Sequence, residues 1–183
     1  TKPDQSTGNI ADGNLWVAPT GSVTVEYPTA TTVYNIPDQT TFNTRIANAI
    51  AGDHLVIANG VSLSGFTTTK SGSATNPIVI RAATNQGASF SGTVTLGGSY
   101  IQVWGMDFGT NRLNLGTGSG TQFNKARRCH FHGSVGSATA DGPITVNVEG
   151  PDHSFEYCVI DEMQFYRGIW INPTGYRFSV NYC

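Results

Sequence analysis

The feature that most constrains the fold is an internal repeat. Alternating apolar pairs recur at Leu55/Ile57, Ile78/Ile80, Ile101/Val103 and then, with one polar member, Asn124/Ala126, each step 23 residues long. Three residues after each pair comes a further small or apolar residue, at Gly60, Ala83, Met106 and Cys129. The register returns at Phe155 and Cys158, and again at Phe178/Val180 and Cys183, after steps of 29 and 25 residues. A second series, Val61/Leu63, Val94/Leu96, Leu113/Leu115, Val146/Val148 and Ile169/Ile171, runs between these. Each repeat thus offers two short strands with period-2 alternation, separated by Gly, Ser, Asn or Thr.

One such coil cannot bury its inward face. Stacking coils at the strand spacing of roughly 4.8 Å buries a continuous column of side chains, so the repeat predicts an all-β solenoid, a right-handed parallel β-helix. Leucine-rich repeats share the period but need an L-x-x-L-x-L frame, which is missing, and helix-pair repeats would need a 3.6-residue pattern. Residues 41–51 are the exception. They place Phe42, Ile46, Ala49 and Ile50 on one helical face, with Thr40 or Thr41 as N-cap and Gly52 closing the other end. A helix at that point would plug the open apolar top of the stack. Residues 1–39 read as an N-terminal extension whose Val23-Thr-Val25 and Val33-Tyr-Asn-Ile36 stretches add a strand or two to the first coil, and residues 40–183 as the coils themselves.

Composition narrows the functional classes. Charged residues make up 12% of the 183, and the formal net charge is −2, which argues against a general nucleic-acid or membrane-surface role. No apolar run approaches the roughly 20 residues that span a bilayer. The chain opens on Thr1-Lys2-Pro3 without a signal peptide, as a mature or trimmed product would. Its three cysteines, Cys129, Cys158 and Cys183, fall on one inward position of consecutive coils. Parallel Cβ bonds suit disulfide geometry poorly, so they read as buried thiols acting as small hydrophobes.

Three segments then follow in an order that resembles polysaccharide lyase family six, the alginate lyases and chondroitinase B. They are Ala51-Gly-Asp-His-Leu-Val-Ile-Ala-Asn-Gly60, Gly72-Ser-Ala-Thr-Asn-Pro-Ile-Val-Ile-Arg-Ala82 and Ser99-Tyr-Ile-Gln-Val-Trp-Gly-Met-Asp-Phe108, with Arg128-Cys-His-Phe131 and Glu156-Tyr-Cys-Val-Ile160 as later rungs. The resemblance covers residues 40–183, about the first half of a family catalytic domain. It implies a secreted or periplasmic protein acting on an acidic polysaccharide by β-elimination. Calcium held by an Asn and two acids would neutralise the uronate, a Lys would take the C5 proton, and an Arg would assist the leaving sugar. The sequence departs from that pattern: no Glu-x-Glu followed by Lys occurs, and the only lysines are Lys2, Lys70 and Lys125. No catalytic residue or cofactor is therefore assigned to this chain, and the calcium belongs to coils expected beyond Cys183. The strand interrupted at Cys183 predicts a cover for that edge, by further coils, a second copy or a partner chain.

Residues that could still meet sugar are few. Lys125-Ala-Arg127-Arg128-Cys-His130-Phe-His132 reads as a basic strip, with Arg128, His130 and His132 outward on one face and His130 beside Asp107 of the coil above. Such a strip would pair with uronate carboxylates, or serve only as a solvated face. The two histidines suggest a metal pair, but no third ligand is evident, and no metal is assigned. Tyr166 and Arg167 could stack on and pair with a sugar acid, and Trp104 could act as a sugar platform unless the N-terminal extension covers it. The competing functional class is a non-catalytic glycan-binding or structural β-helix, adhesin- or tailspike-like.

Overall fold

The computed structural model describes residues 27–118, 120–132, 146–160, 169–171 and 178–181, with residues 146–147 and those beyond 160 described by backbone alone. The described chain enters through β1 (Thr32–Ile36) and the helix α1 (Gln39–Ala47), and then winds in coils. The first coil holds β2 (Asp53–Ile57), β3 (Ser62–Leu63) and β4 (Phe66–Thr68). The second holds β5 (Ile78–Ala82), β6 (Ala88–Phe90) and β7 (Val94–Leu96), and the third β8 (Ile101–Trp104), β9 (Met106–Gly109) and β10 (Leu113–Leu115). The fourth holds β11 (Lys125–Arg127), β12 (His130–Phe131) and β13 (Val146–Val148). The fifth holds β14 (His153–Glu156), β15 (Val159–Ile160) and β16 (Ile169–Ile171), and β17 (Phe178–Asn181) begins the next.

Every pairing is parallel and joins equivalent strands of successive coils. Sheet A runs β1-β2-β5-β8-β11-β14-β17, sheet B runs β3-β6-β9-β12-β15, and sheet C runs β4-β7-β10-β13-β16. This is a parallel β-helix, as the repeat predicts, but with three strands per coil and not two. The sheet missed in the sequence is B, whose strands are two to four residues long and carry too little alternation to stand out. Val61/Leu63 belongs to that sheet, and the first coil's member of sheet C is Phe66/Thr68. The columns also differ at the first step. Leu55 lies opposite Ile80 and Ile57 opposite Ala82, a step of 25, whereas Ile78 and Ile80 pair with Ile101 and Val103 at the expected 23. A shift of two residues keeps every side chain on its own face, so the apolar pattern alone could not detect it.

The interior is a stack of aromatic rings along the coil axis. Phe42, Phe66, Phe90, Phe108, Phe131 and Phe155 follow one another with ring centroids between 4.5 and 5.6 Å apart. Its first ring comes from the helix, so α1 does plug the N-terminal end: Phe42 and Ile46 are buried against the stack. The helix differs in its ends. It starts at Gln39 with Asp38 as N-cap, accepting from the Thr41 N–H at 2.7 Å, and its C-cap is Asn48. Asp38 precedes the hydroxyls assigned to the cap and supplies a charged acceptor where the free N–H groups point. Ile50, expected on the buried face, is 64% exposed because the helix has already ended.

Sharp corners let the coils turn. Tyr100, Phe123 and Asp152 all have φ near +60° just before the sheet A strands, and Gly105, Arg128 and Tyr157 all have it just after. At the first of these corners Asn124 points inward, fully buried. Its Oδ1 accepts from Ile101 N at 2.9 Å, and its Nδ2 donates to the carbonyls of Leu96 (3.2 Å) and Gly98 (2.8 Å). The polar member of the fourth pair is thus a satisfied structural amide. Cys129 and Cys158 stack as buried cysteines, Cys129 N donating to Cys158 Sγ at 3.4 Å. Val23, Val25 and Cys183 lie outside the described residues.

Candidate functional site

The outer face of sheet A carries the basic residues of β11 between two other coils. Arg127 lies beside Trp104 on one side and Glu156 on the other, and Lys125 lies between Gln102 and Ser154. The Arg127 guanidinium sits 4.2 Å over the Trp104 ring, and its Nε is 2.8 Å from Glu156 Oε2. Lys125 Nζ is 3.0 Å from Glu156 Oε1. One carboxylate therefore serves two cations, leaving this group with a positive charge that stays partly exposed, since Lys125 is 30% and Arg127 25% accessible. Trp104 is only 2% exposed. Tyr27 covers it at 4.9 Å between ring centroids and is itself capped by the Arg81 guanidinium at 4.4 Å. The indole N–H donates to Gln102 at 2.9 Å. Trp104 is thus the packed base of a cation–aromatic stack and presents no open ring to a sugar.

The expected strip does not run along one face. Arg128 adopts φ +54° at the corner, so the alternation that would align it with His130 and His132 breaks there. Lys125 and Arg127 face out from sheet A, while His130 and His132 face out from sheet B one turn later. There the ladder holds His130 opposite Asp107, as expected, and a bulge follows between His130 and Phe131. The bulge re-aims the carboxylate, because Asp107 Oδ1 meets His132 Nε2 at 3.0 Å while also accepting from Gly109 N at 2.9 Å. The His130 and His132 rings stack at 4.3 Å. Asp107 is thus a third group of ligand type beside the two histidines, its oxygen within 4.8 Å of a ring nitrogen of each. The signal was present only as a 23-residue offset. Tyr166 and Arg167 lie outside the described residues.

Two further ionisable groups are buried. His54 faces out of β2, yet is 3% exposed; burial pushes its imidazole below the usual range, with Arg81 adding to the effect. His153 accepts from Asn124 N at Nδ1 (3.0 Å) and donates from Nε2 to the Glu149 carbonyl (2.9 Å), which fixes a neutral tautomer. Burial lowers it as well. A calcium site of the lyase kind needs two alternating carboxylates and an amide on one face. Among the described residues the outward acids Asp107 and Glu156 lie on different sheets, and Glu156 is already neutralised by two cations. The described residues do not fit that ion.

A family profile for chondroitinase B matches residues 36–115, from β1 to β10. Among solved structures, a family-six polysaccharide lyase from Pseudopedobacter saltans superposes with a TM-score of 0.62 at 18% identity over 81% of this chain and 36% of its own. A mannuronic-acid-specific family-six lyase from human gut microbiota gives 0.61 at 17% identity, covering 81% of this chain and 44% of the other. An alginate lyase from Paenibacillus sp. str. FPU-7 gives 0.62 at 18% identity, covering 84% and 66%. No curated protein matches the sequence. The chain spans between 36% and 66% of the length of these lyases. Residues 36–115 thus match the chondroitinase B pattern on three-stranded coils, and the chain shares the parallel β-helix fold of these lyases.

Proposed function

We propose that the chain belongs to an extracellular protein acting on a uronic-acid polysaccharide of the alginate or chondroitin type, and that the described coils bind that polymer without cleaving it. The observation that carries the reading is the chondroitinase B match over residues 36–115, on coils whose next rung brings Lys125 and Arg127 to the outer face against a single carboxylate. β-Elimination needs a neutralised uronate, a base for the C5 proton and an acid for the leaving oxygen. No outward acid pair with an accompanying lysine exists among the described residues, which supports a binding role for these coils.

The test is incubation of the 183-residue chain with alginate and with chondroitin, following the unsaturated product near about 235 nm, alongside affinity electrophoresis in gels containing each polymer. Retardation without absorbance is the expected result, with retardation reduced in Lys125→Ala and by salt. Elimination by the chain itself, or equal mobility with and without polymer, would overturn it.

A further inference from the structure

We propose that Asp107, His130 and His132 form a binding site for a divalent transition-metal ion, zinc being the ion whose chemistry they suit best. Two imidazoles and one carboxylate are the donor set of zinc sites that keep a position open. The spacing is close to what such an ion requires. Bonds of roughly 2.0–2.2 Å in a tetrahedron hold ligand atoms roughly 3.3–3.5 Å apart, and the three here lie within 4.8 Å of one another. His132 Nε2 and Asp107 Oδ1 are already 3.0 Å apart, and the His130 ring lies flat against that of His132.

The supporting geometry is built into the backbone. Gly109 N donates to the Asp107 carboxylate, the kind of outer contact that holds a ligand in place. His132 N donates to the Gly109 carbonyl at 2.9 Å, which ties the end of β12 to the same glycine. A Cβ built on Gly109 would meet nothing within 4 Å, so the backbone that holds the carboxylate is open on that side. The ligands are reachable, with Asp107 32% and His132 34% exposed. The other two histidines of the sequence, His54 and His153, are buried, so surface metal binding by imidazole has one address.

The experiment uses the full chain carrying Cys183→Ser, to remove a thiol that could also bind metal. Cobalt(II) is titrated with visible absorption as the readout, and zinc chloride by calorimetry. Saturation at one ion per chain is expected, reversed by EDTA and not reproduced by calcium. Asp107→Asn and His132→Gln should each weaken zinc by at least about tenfold, with circular dichroism showing the coils intact. Histidine side-chain NMR gives a second readout independent of any variant: zinc should shift His130 and His132 and leave His54 and His153 in place. Wild-type affinity in both variants, shifts at the buried histidines, or no binding at all would overturn the site and leave Asp107–His132 as a hydrogen-bonded pair only.

Discussion

Replacing Asn124 by alanine removes one amide from the centre of the structure and strands three backbone groups. The Ile101 N–H loses its acceptor, and the Leu96 and Gly98 carbonyls lose a donor, all in a site with no measurable exposure. An unpaired buried donor costs about 1–3 kcal/mol, and the carbonyls, each with a second lone pair, add about 1 kcal/mol between them. The void left by the amide adds roughly 1 kcal/mol. The expected loss is about 3–5 kcal/mol, a large share of the roughly 5–15 kcal/mol by which a domain is stable. In urea, with a slope of about 2 kcal/mol per molar, the midpoint should fall by about 2 M at unchanged slope. Asn124→Asp should be worse at neutral pH, since a carboxylate would face both carbonyls with no proton to offer. An Asn124→Ala midpoint within about 0.5 M of the parent would show that this amide does not hold the corner together.

Three further outcomes are expected. His153 and His54 have native pKa values pushed below the free value of about 6.5, so the unfolded chain binds more protons as pH falls past that point. Stability should be flat above it and decline toward pH 5, and urea midpoints at pH 7.5 and 5.5 will show the slope, which His153→Gln should reduce. Phe108→Ala removes a ring held between Phe90 at 5.2 Å and Phe131 at 4.5 Å and should cost about 3–5 kcal/mol by thermal or urea unfolding. Gly105→Ala should cost about 1 kcal/mol, since φ is +60° and the new Cβ would lie 3.1 Å from Asn85 Oδ1, whereas Arg128→Gly relieves the same conformation and should be neutral to slightly stabilising, a contrast of sign that chemical denaturation reads directly.

The fold was legible because its inward columns repeat: Ile78, Ile101 and their partners sit at one offset, and alternation assigns their faces. What stayed hidden was whatever alternation does not encode. Leu55 pairs two residues further along than the offset suggests, and Asp38 caps the helix from outside the apolar pattern. Of the candidate site, the sequence marked one basic segment but not how the fold divides it. Lys125, Arg127, His130 and His132 do face outward, but the left-handed turn at Arg128 divides them between two sheets. Asp107 lies opposite His130 as the 23-residue offset predicts, but its contact with His132 comes with a bulge, and Glu156 joins through a pairing 29 residues away, neither of which leaves a local mark on the sequence.

The stacked thiols give this molecule a built-in clock. Cys129 and Cys158 are at most 2% exposed and belong to the fourth and fifth coils, so a thiol-specific reagent can reach them only when those coils part. In a solenoid each repeat is held chiefly by its neighbours, and parting need not involve the whole molecule. With Cys183 changed to serine, the labelling rate of the remaining pair becomes a direct measure of how often one rung opens. The same rate under added glycan or zinc would report, without any attached probe, whether a ligand on the outer faces reaches the interior.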